Sequence, residues 1–248
     1  MLMPIVQGGA TDFGTIITLS SDVNDYNLAN DLTNNYSWNG SDAIEVVLNI
    51  NSGVTIYSTS TGTPSIVVDL VAGSTLTINN SGNIVGKGGA ALGGQLSTGQ
   101  SGIAGGHAIS LQDVTVVVNN LSGAKIQGGG GSAGSGGGSR HAGSTVDSEG
   151  VCQDGVNRIG GAGGAGAGAT SATSAATTGS AGATGTGAGG DGGDFGSAGT
   201  AGGGASNSGC KVVNASGGPG GAAGKAIHHV SSVSQTLNNS GTINGATT

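Results

Sequence analysis

The chain has 248 residues, of which 56 are glycine, whereas only 8% are charged and 2% are aromatic. An ordinary globular enzyme carries about 25% charged residues, so this composition disfavours a conventional α/β or helical enzyme. Three prolines exclude collagen, a hydrophobic content of 35% disfavours simple disorder, and six basic residues at a net charge of −7 argue against nucleic acid as a partner.

Residues 1–42 have the features of an N-terminal attachment or assembly module. Residues 22–32 predict a short helix with Asn24 or Asp25 as its N-cap, and residues 37–40 (SWNG) predict the turn that ends it. Five of the six aromatic residues lie within the first 57 positions. Because aromatic side chains bury large apolar areas, we expect a compact core or an assembly interface here. The first residues lack a basic region and a long apolar stretch, so we expect neither a signal peptide nor a membrane span.

Residues 43–127 alternate apolar and polar side chains, as half-buried strands do. In chain order the apolar positions are Ile44, Val46, Leu48 and Ile50, then Val54 and Ile56, then Ile66, Val68 and Leu70, then Leu76 and Ile78, then Val114, Val116 and Val118. We predict a β-stack with a short glycine-rich insertion at 86–106.

A short repeat follows three of the predicted strands. Residues 79–86 (NNSGNIVG) recur as 238–245 (NNSGTING), and a third copy with small insertions spans 119–128 (NNLSGAKIQG). Asn and Gly tolerate positive φ and turn the chain, and the single isoleucine then returns to the core. Each copy therefore predicts one rung of a solenoid-like β-stack, and residues 225–248 form a C-terminal rung.

Residues 128–224 hold most of the glycine, and many of these glycines are three positions apart. The longest such run is Gly187, Gly190, Gly193, Gly196, Gly199 and Gly202. A period of three matches the polyproline II helix, and glycine on every turn leaves one face free of side chains. Such helices can pack backbone to backbone and satisfy each other's amides and carbonyls. We predict a bundle of short polyglycine II helices joined by exposed turns, with a flexible linker as the alternative.

These features resemble the adhesins at the distal tip of T-even-like phage tail fibres, a family of glycine-rich phage tail proteins. The similarity rests on the strand-to-glycine junction at 72–90 and on residues 26–28 with 38–40, and it extends over roughly residues 24–248. It implies a mainly β protein with a small attachment module and a polyglycine II sandwich. It also implies that loops at the end of the bundle recognise outer-membrane proteins of Gram-negative hosts. The glycine block here is more diluted with Ala, Ser and Thr than is typical of the family.

Candidate receptor contacts come from the least repetitive parts of the glycine block, because non-repetitive charged loops on a rigid scaffold are common binding sites. Three stretches, around 140–159, 191–195 and 207–214, supply these candidates: Arg140, His141, Asp147, Glu149, Asp154, Asn157, Arg158, Asp191, Asp194, Phe195 and Lys211. Their carboxylates and neighbouring hydroxyls are expected to contact sugars or outer-membrane loops. Cys152 and Cys210 either form a disulfide between two distal turns or remain two free thiols.

The sequence predicts no catalytic, cofactor-binding or metal-binding residues. The four histidines match no catalytic triad or zinc-protease pattern, and His228 and His229 are expected to be solvent-facing residues of one strand. Neither Gly86–Lys87 nor Gly224–Lys225 is followed by the Ser or Thr of a phosphate-binding loop. We therefore expect no cofactor and no enzymatic activity.

The expected function is that of a virion protein, a tail-fibre tip adhesin. Its N-terminal module would bind other virion structural proteins, and its loops would bind an outer-membrane protein or a surface glycan. One alternative is a head decoration or fibre protein with the same scaffold. An alternative of another class is an ice-binding protein built of glycine helices, for which the Thr- and Ala-rich residues 169–178 are the only hint. A homotrimer and a monomer seated on a trimeric fibre are both open, and nucleic acid is not an expected partner.

Overall fold

The chain winds five times around three parallel β-sheets that enclose one apolar core. The computed structural model describes residues 14–141, 157–169, 173–206 and 212–248. In chain order the elements are β1 (Gly14–Leu19), β2 (Val23–Asn24), β3 (Tyr26–Asn27), α1 (Leu28–Asn35), β4 (Glu45–Ile50), β5 (Thr55–Tyr57), β6 (Ile66–Asp69), β7 (Thr75–Asn80), β8 (Asn83–Val85), β9 (Ile109–Gln112), β10 (Thr115–Asn120), β11 (Lys125–Gln127), β12 (Ser139–His141), β13 (Gly168–Ala169), β14 (Thr173–Ser174), β15 (Val212–Asn214), β16 (Ile227–His229), β17 (Ser234–Asn239) and β18 (Thr242–Asn244).

The first four coils of this solenoid visit the three sheets in the same order, and the fifth adds β17 and β18 to the first two and reaches the third through a bridge between Thr247 and Ile227. The first sheet runs β1-β4-β7-β10-β17, the second β2-β5-β8-β11-β18, and the third β3-β6-β9-β16. The pairing keeps repeat positions in register, so that Leu48, Ile78, Val118 and Leu237 stack on each other in successive coils. The predicted mainly β fold is confirmed, and the three copies of the short repeat form β7–β8, β10–β11 and β17–β18.

Two glycine-rich insertions leave the solenoid at the same corner, between the second and third sheets. The shorter one joins β8 to β9, and the longer one joins β11 to β16. In the second coil the same corner is a short connection of residues 58–65. The solenoid is therefore continuous in space although its fourth coil is interrupted by about a hundred residues of sequence.

The helix begins later than the sequence predicts. α1 starts at Leu28 with Asn27 as its N-cap, whose side-chain oxygen accepts a hydrogen bond from the backbone N–H of Asn30 at 2.9 Å. Asp25 lies instead in a turn with φ of 48°, because residues on both sides of it pair with β5 and β6. The prediction of Asn24 or Asp25 as the N-cap is thus wrong. Within the described part of the chain, no helix is long and apolar enough to cross a bilayer.

Two ladders of asparagine side chains hold successive coils in register. On the inner side, Asn80 Nδ2 donates to Asn120 Oδ1 at 2.9 Å, and Asn120 Nδ2 donates to Asn239 Oδ1 at 2.8 Å. Asn80 and Asn120 are fully buried. On the outer side Asn79, Asn119 and Asn238 each donate back to the asparagine of the preceding coil, at 2.8–2.9 Å. A paired amide costs little to bury, whereas an unpaired one is expensive, so the inner ladder fixes the register.

Replacement of the central inner asparagine tests this role. Asn120→Ala is expected to lower the free energy of unfolding by about 2–3 kcal/mol, because it leaves buried partners unpaired. Asn238→Ala, the same change at the exposed end of the outer ladder, is expected to cost about 0.5 kcal/mol or less. Urea unfolding followed by circular dichroism measures both values. Equal losses for the two variants would contradict the assignment of register to the inner ladder.

Candidate binding site at the distal end of the glycine-rich bundle

The two insertions fold into one array of extended segments, called here the glycine-rich bundle. Its segments, in chain order, span residues 86–95, 97–106, 128–139, 158–168, 175–183, 186–194, 197–206 and 215–225. Residues 128–139 form the central segment, which is buried along the whole length for which side chains are described. Six others surround it, and 175–183 packs outside them against 158–168 and 186–194.

Backbone hydrogen bonds of the central segment repeat every three residues. The N–H groups of Gly134, Ser135 and Gly136 donate to three different neighbours, the carbonyls of Thr200, Gln100 and Gly161, at 2.9–3.1 Å. The carbonyls of Gly134 and Ser135 accept from two further neighbours, the N–H groups of Gly190 and Gly218. The sixth neighbour is segment 86–95, in which the N–H of Gly89 donates to the carbonyl of Gly130. Each side of the segment is therefore satisfied by a different chain segment.

The close approach of these backbones explains the glycine content. A Cβ atom at Gly131, Gly134 or Gly137 would lie 1.9–2.1 Å from a carbonyl oxygen of segment 215–225. A Cβ would also collide with backbone at the other glycines of this segment, and its few side chains are small: Ser132, Ala133, Ser135 and Ser139. The buried hydroxyls of Ser132 and Ser135 accept hydrogen bonds from the N–H groups of Ile103 and Gln100 at 2.8 Å. These bonds disfavour the flexible-linker alternative for the described segments.

Neighbouring turns of the bundle collect at two opposite ends. The proximal end adjoins the solenoid and carries the turn at 194–197 and the paired strands β13 and β14. The distal end carries the turns at 95–97 and 183–186, together with β12, Arg158, residue 206 and β15. Segment ends that are far apart in sequence therefore lie at the same end of the bundle.

The distal end joins two of the three stretches that the sequence singled out. β12 pairs antiparallel with β15, so that Arg140 lies opposite Val213 and His141 opposite Val212. Ser139 also bridges to Arg158. The guanidinium of Arg158 donates to the carbonyl of Thr184 at 2.6 Å, which ties a further distal turn to the same group. Asn157 beside it is exposed.

Three exposed apolar side chains at this end were missed by the sequence analysis, which searched for charged and aromatic residues. Leu96 is 41% exposed, Ile159 53% and Val213 65%. The first two are neighbours, because the N–H of Gly160 donates to the carbonyl of Gln95 at 2.8 Å. Isolated large aliphatic residues within a Gly, Ala and Ser background are the signal that identifies them.

The third predicted stretch lies elsewhere. Asp194 and Phe195 form the turn at the proximal end, where the carbonyl of Asp194 accepts from the N–H of Ser197 at 2.8 Å. Gly196 in this turn has a φ of 69°, and a Cβ on it would lie 2.3 Å from the N atom of Gly245. The carboxylate of Asp191 accepts a hydrogen bond from the N–H of Gly179 at 3.0 Å. Asp194 and Phe195 are thus separated from the distal group by the length of the bundle, and Asp191 lies between the two ends, on segment 186–194.

The remaining candidates fall outside the described residues. They are Asp147, Glu149, Asp154, Lys211, Cys152 and Cys210. The backbones of Arg140 and His141 are described, but their side chains are not. Among the described residues no group of three or more His, Cys, Asp or Glu side chains is arranged to bind a metal ion.

A histidine pair joins the bundle to the solenoid. The rings of His107 and His228 lie 4.3 Å apart between centroids, and His107 Nδ1 accepts a hydrogen bond from the backbone N–H of Lys225 at 2.9 Å. Burial, together with the positive charges of His228 and Lys225, lowers the pKa of His107 to about 4. His228 and His229 are only partly exposed, so they face solvent less fully than the sequence predicts.

Comparisons with known proteins give a family and a fold. The family model described as phage tail fibre adhesin Gp38 matches residues 14–248. A similar chain occurs in the crystal structure of the gp37-gp38 adhesin tip complex of the bacteriophage S16 long tail fiber, with 23% sequence identity and a TM-score of 0.53. The similarity covers 95% of the present chain and 82% of that chain, and at this identity it shows the fold alone. No curated protein matches the chain in sequence.

A single methyl group tests the packing of the central segment. Gly134→Ala places a Cβ 1.9 Å from the carbonyl oxygen of Gly218, whereas Gly204→Ala meets nothing nearer than 3.8 Å. We expect Gly134→Ala to destabilise the bundle by about 3 kcal/mol or more and Gly204→Ala by less than about 1 kcal/mol. Limited proteolysis and thermal unfolding of the full chain report both effects. Equal melting temperatures of the two variants would argue against tight packing around residue 134.

The pKa of His107 predicts how stability depends on pH. Its pKa of about 4 in the folded chain lies below its usual value of 6.5, so the unfolded chain binds more protons between these values. The free energy of unfolding should therefore fall as the pH drops from about 6.5 to about 4, and this contribution should not change further below pH 4. His107→Asn keeps an acceptor for Lys225 but does not titrate. Urea unfolding at several pH values should show a weaker dependence for this variant, and parallel profiles would refute the assignment.

Proposed function

Because the chain belongs to the phage tail fibre adhesin Gp38 family, we propose that it binds the bacterial surface through the distal end of its glycine-rich bundle. The family match over residues 14–248 is the evidence that the chain is a tail fibre adhesin and a component of the virion. The head decoration and ice-binding alternatives gain no support from this membership. Nor does the family suggest catalysis, and we propose that the chain acts by binding and not as an enzyme.

We propose that the segments of the bundle are polyglycine II helices. The support is the three-residue period of hydrogen bonding around the central segment and the ring of six neighbours. A polyproline II geometry gives three residues per turn and a rise of about 3.1 Å per residue, so ten residues span about 31 Å. Such a bundle is a stiff spacer between the solenoid and the distal loops.

The proposed receptor contacts are the candidates that belong to the distal connections. They are Arg140, His141, Asp147, Glu149, Asp154, Asn157, Arg158 and Lys211, together with the exposed Leu96, Ile159 and Val213. What supports them is that β12, β15 and Arg158 bring two separate stretches onto one rigid base. Loops held in place lose little conformational entropy on binding. A disulfide between Cys152 and Cys210 would hold these two stretches together further.

Asp191, Asp194 and Phe195 are assigned a different role in this proposal. Asp194 and Phe195 lie in the turn that packs against Gly245 of the last coil, and Asp191 bonds within the bundle. We infer that this turn fixes the angle between bundle and solenoid. It would therefore position the distal loops without touching the receptor.

Attachment to the virion is proposed to use residues 1–42. The fold is shared with a chain of a complex between two fibre proteins, gp37 and gp38, and we propose that the present chain likewise seats on another fibre protein. We also propose a further division into a β-stack (43–127), a bundle (128–224) and a C-terminal rung (225–248); its support is that the longer insertion leaves the solenoid after β11 and returns to it at β16. Since β1 pairs with β4, the attachment module is built onto the same sheets.

Adsorption of phage that carry a variant chain tests the distal site. Val213→Glu introduces a charge at the distal end on a side chain that is 65% exposed, so the fold should be retained. We expect at least about a tenfold loss in adsorption to host cells, which is the scale of a central contact residue. Leu121→Glu is the matched control, because Leu121 is 45% exposed on a turn of the solenoid.

Immunoblots of purified virions first establish that both variants are incorporated equally. Normal adsorption by Val213→Glu phage, or an equal loss with Leu121→Glu, would overturn the assignment of the receptor site to the distal end.

A further inference from the structure

The last coil of the solenoid has an open edge. Among the described residues β17 pairs with β10 on one side and has no strand on the other, and β18 likewise pairs only with β11. Core positions that are fully buried in the preceding coils are partly exposed here. Val118 and Ile126 are 0% exposed, whereas Leu237 and Ile243, at the same register positions, are only partly buried.

The backbone of β17 presents unpaired groups at this edge. The N–H groups of Ser234 and Ser240 donate to the carbonyls of Val114 and Asn120, on the side of β10. In a parallel ladder the backbone groups of successive residues point alternately to the two neighbouring strands. The N–H and C=O groups of Gln235, Leu237 and Asn239 therefore point away from β10, towards the open side. Three donors and three acceptors form a row suited to another strand.

The inner asparagine ladder also ends at this edge, and its last member lacks a hydrogen-bond acceptor. Asn80 and Asn120 each donate from Nδ2 to a backbone carbonyl of the following coil, Lys125 and Thr242, at 3.2 Å. Asn239 accepts from Asn120 and from the N–H of Gly241, but its own Nδ2 has no partner in the described chain. The next coil would supply the missing acceptor.

The edge carries none of the usual protection against strand addition. Natural edge strands are shielded by lysines, prolines, bulges or inward charges. Residues 230–248 contain no charged residue and no proline. An unprotected edge of this kind is a site for aggregation unless a partner covers it.

We infer that an extended strand of the fibre protein adds to β17 and continues the solenoid as a sixth coil. This inference rests on the proposed function, since it names a second surface for the same attachment. The strand would pair in register with β17, offer an amide or carbonyl oxygen to Asn239 Nδ2, and cover Leu237 with an aliphatic side chain. The first and fifth coils are four strand spacings apart, about 19 Å, so one partner can contact both.

A second copy of this chain fits the edge less well. β17 has six residues and is about 20 Å long, and contact through this edge alone would bury less than the roughly 800 Å² per partner of a stable dimer. The fibre protein would bury additional area, because in the proposed function it also contacts residues 1–42.

Binding of the purified chain to virions of the source phage that lack this chain provides the test. Leu237→Lys places an inward charge at the open edge, where it stays solvated in the free chain but would be buried beneath an added strand. Thr236→Lys is the matched control, with the same charge on the preceding residue, which points to the outer face. Asn239→Asp removes the Nδ2 donor and keeps the acceptor for Gly241.

We expect Leu237→Lys and Asn239→Asp to reduce the amount of chain that sediments with the virions by about tenfold or more, while Thr236→Lys binds like the wild type. Thermal unfolding confirms that each variant is folded. If the wild-type chain itself does not bind, the proposed attachment to the fibre fails. If it binds and the edge variants bind equally well, only the strand-addition inference fails.

Light scattering on the isolated chain addresses the second copy. A monomer is the expected result. A dimer that Leu237→Lys disperses would assign the edge to self-association and overturn the inference.

Discussion

The structure depends on the requirement that every buried backbone amide and carbonyl find a partner, in a chain that offers few side chains to supply one. The central segment meets this requirement by sending successive N–H groups to three different neighbours and accepting from three others. Each neighbour must therefore approach within hydrogen-bonding distance over its full length. Glycine is required wherever a Cβ would lie between two backbones, as at Gly131 and Gly134. The composition is a consequence of this packing.

The solenoid makes the packing of the bundle achievable. Successive coils are one strand spacing apart, about 4.8 Å, and both insertions leave at the same corner. The N–H of Gly86 accordingly donates to the carbonyl of Gln127, so the ladder of the second sheet continues into the bundle. The asparagine ladders fix the register of those coils and thereby the starting positions of the glycine segments. At the same junction, the turn that contains Gly196 packs against Gly245 of the last coil.

The candidate site shows where local reasoning succeeds and where it fails. The irregular stretches around 140–159 and 207–214 stand out in the sequence because they interrupt a repetitive background. Asp194 and Phe195 interrupt it in the same way, yet they lie at the proximal end. Which end a turn occupies depends on the number and direction of the segments between, and one additional segment would reverse it. Leu96, Ile159 and Val213 stand out in the sequence as large aliphatic residues in a Gly, Ala and Ser background, but only the structure shows that they are exposed at the distal end.

The sequence alone determined most strands of residues 43–127 and of the C-terminal rung, the repeat and the period of three, because these depend on local alternation, turn residues and glycine spacing. It missed β1, β2 and β3, because the strands β2 and β3 are only two residues long and depend on pairing with β5 and β6. The resemblance to phage tail fibre adhesins also came from such local patterns, and the family match bears it out. Only the tertiary structure decided the order of strands in the three sheets, the choice of 128–139 as the central segment, and the pairing of β12 with β15. These depend on hydrogen bonds between residues distant in sequence. A Gly-rich segment presents nearly the same backbone to every neighbour, so its own residues carry little information about which neighbour it will take.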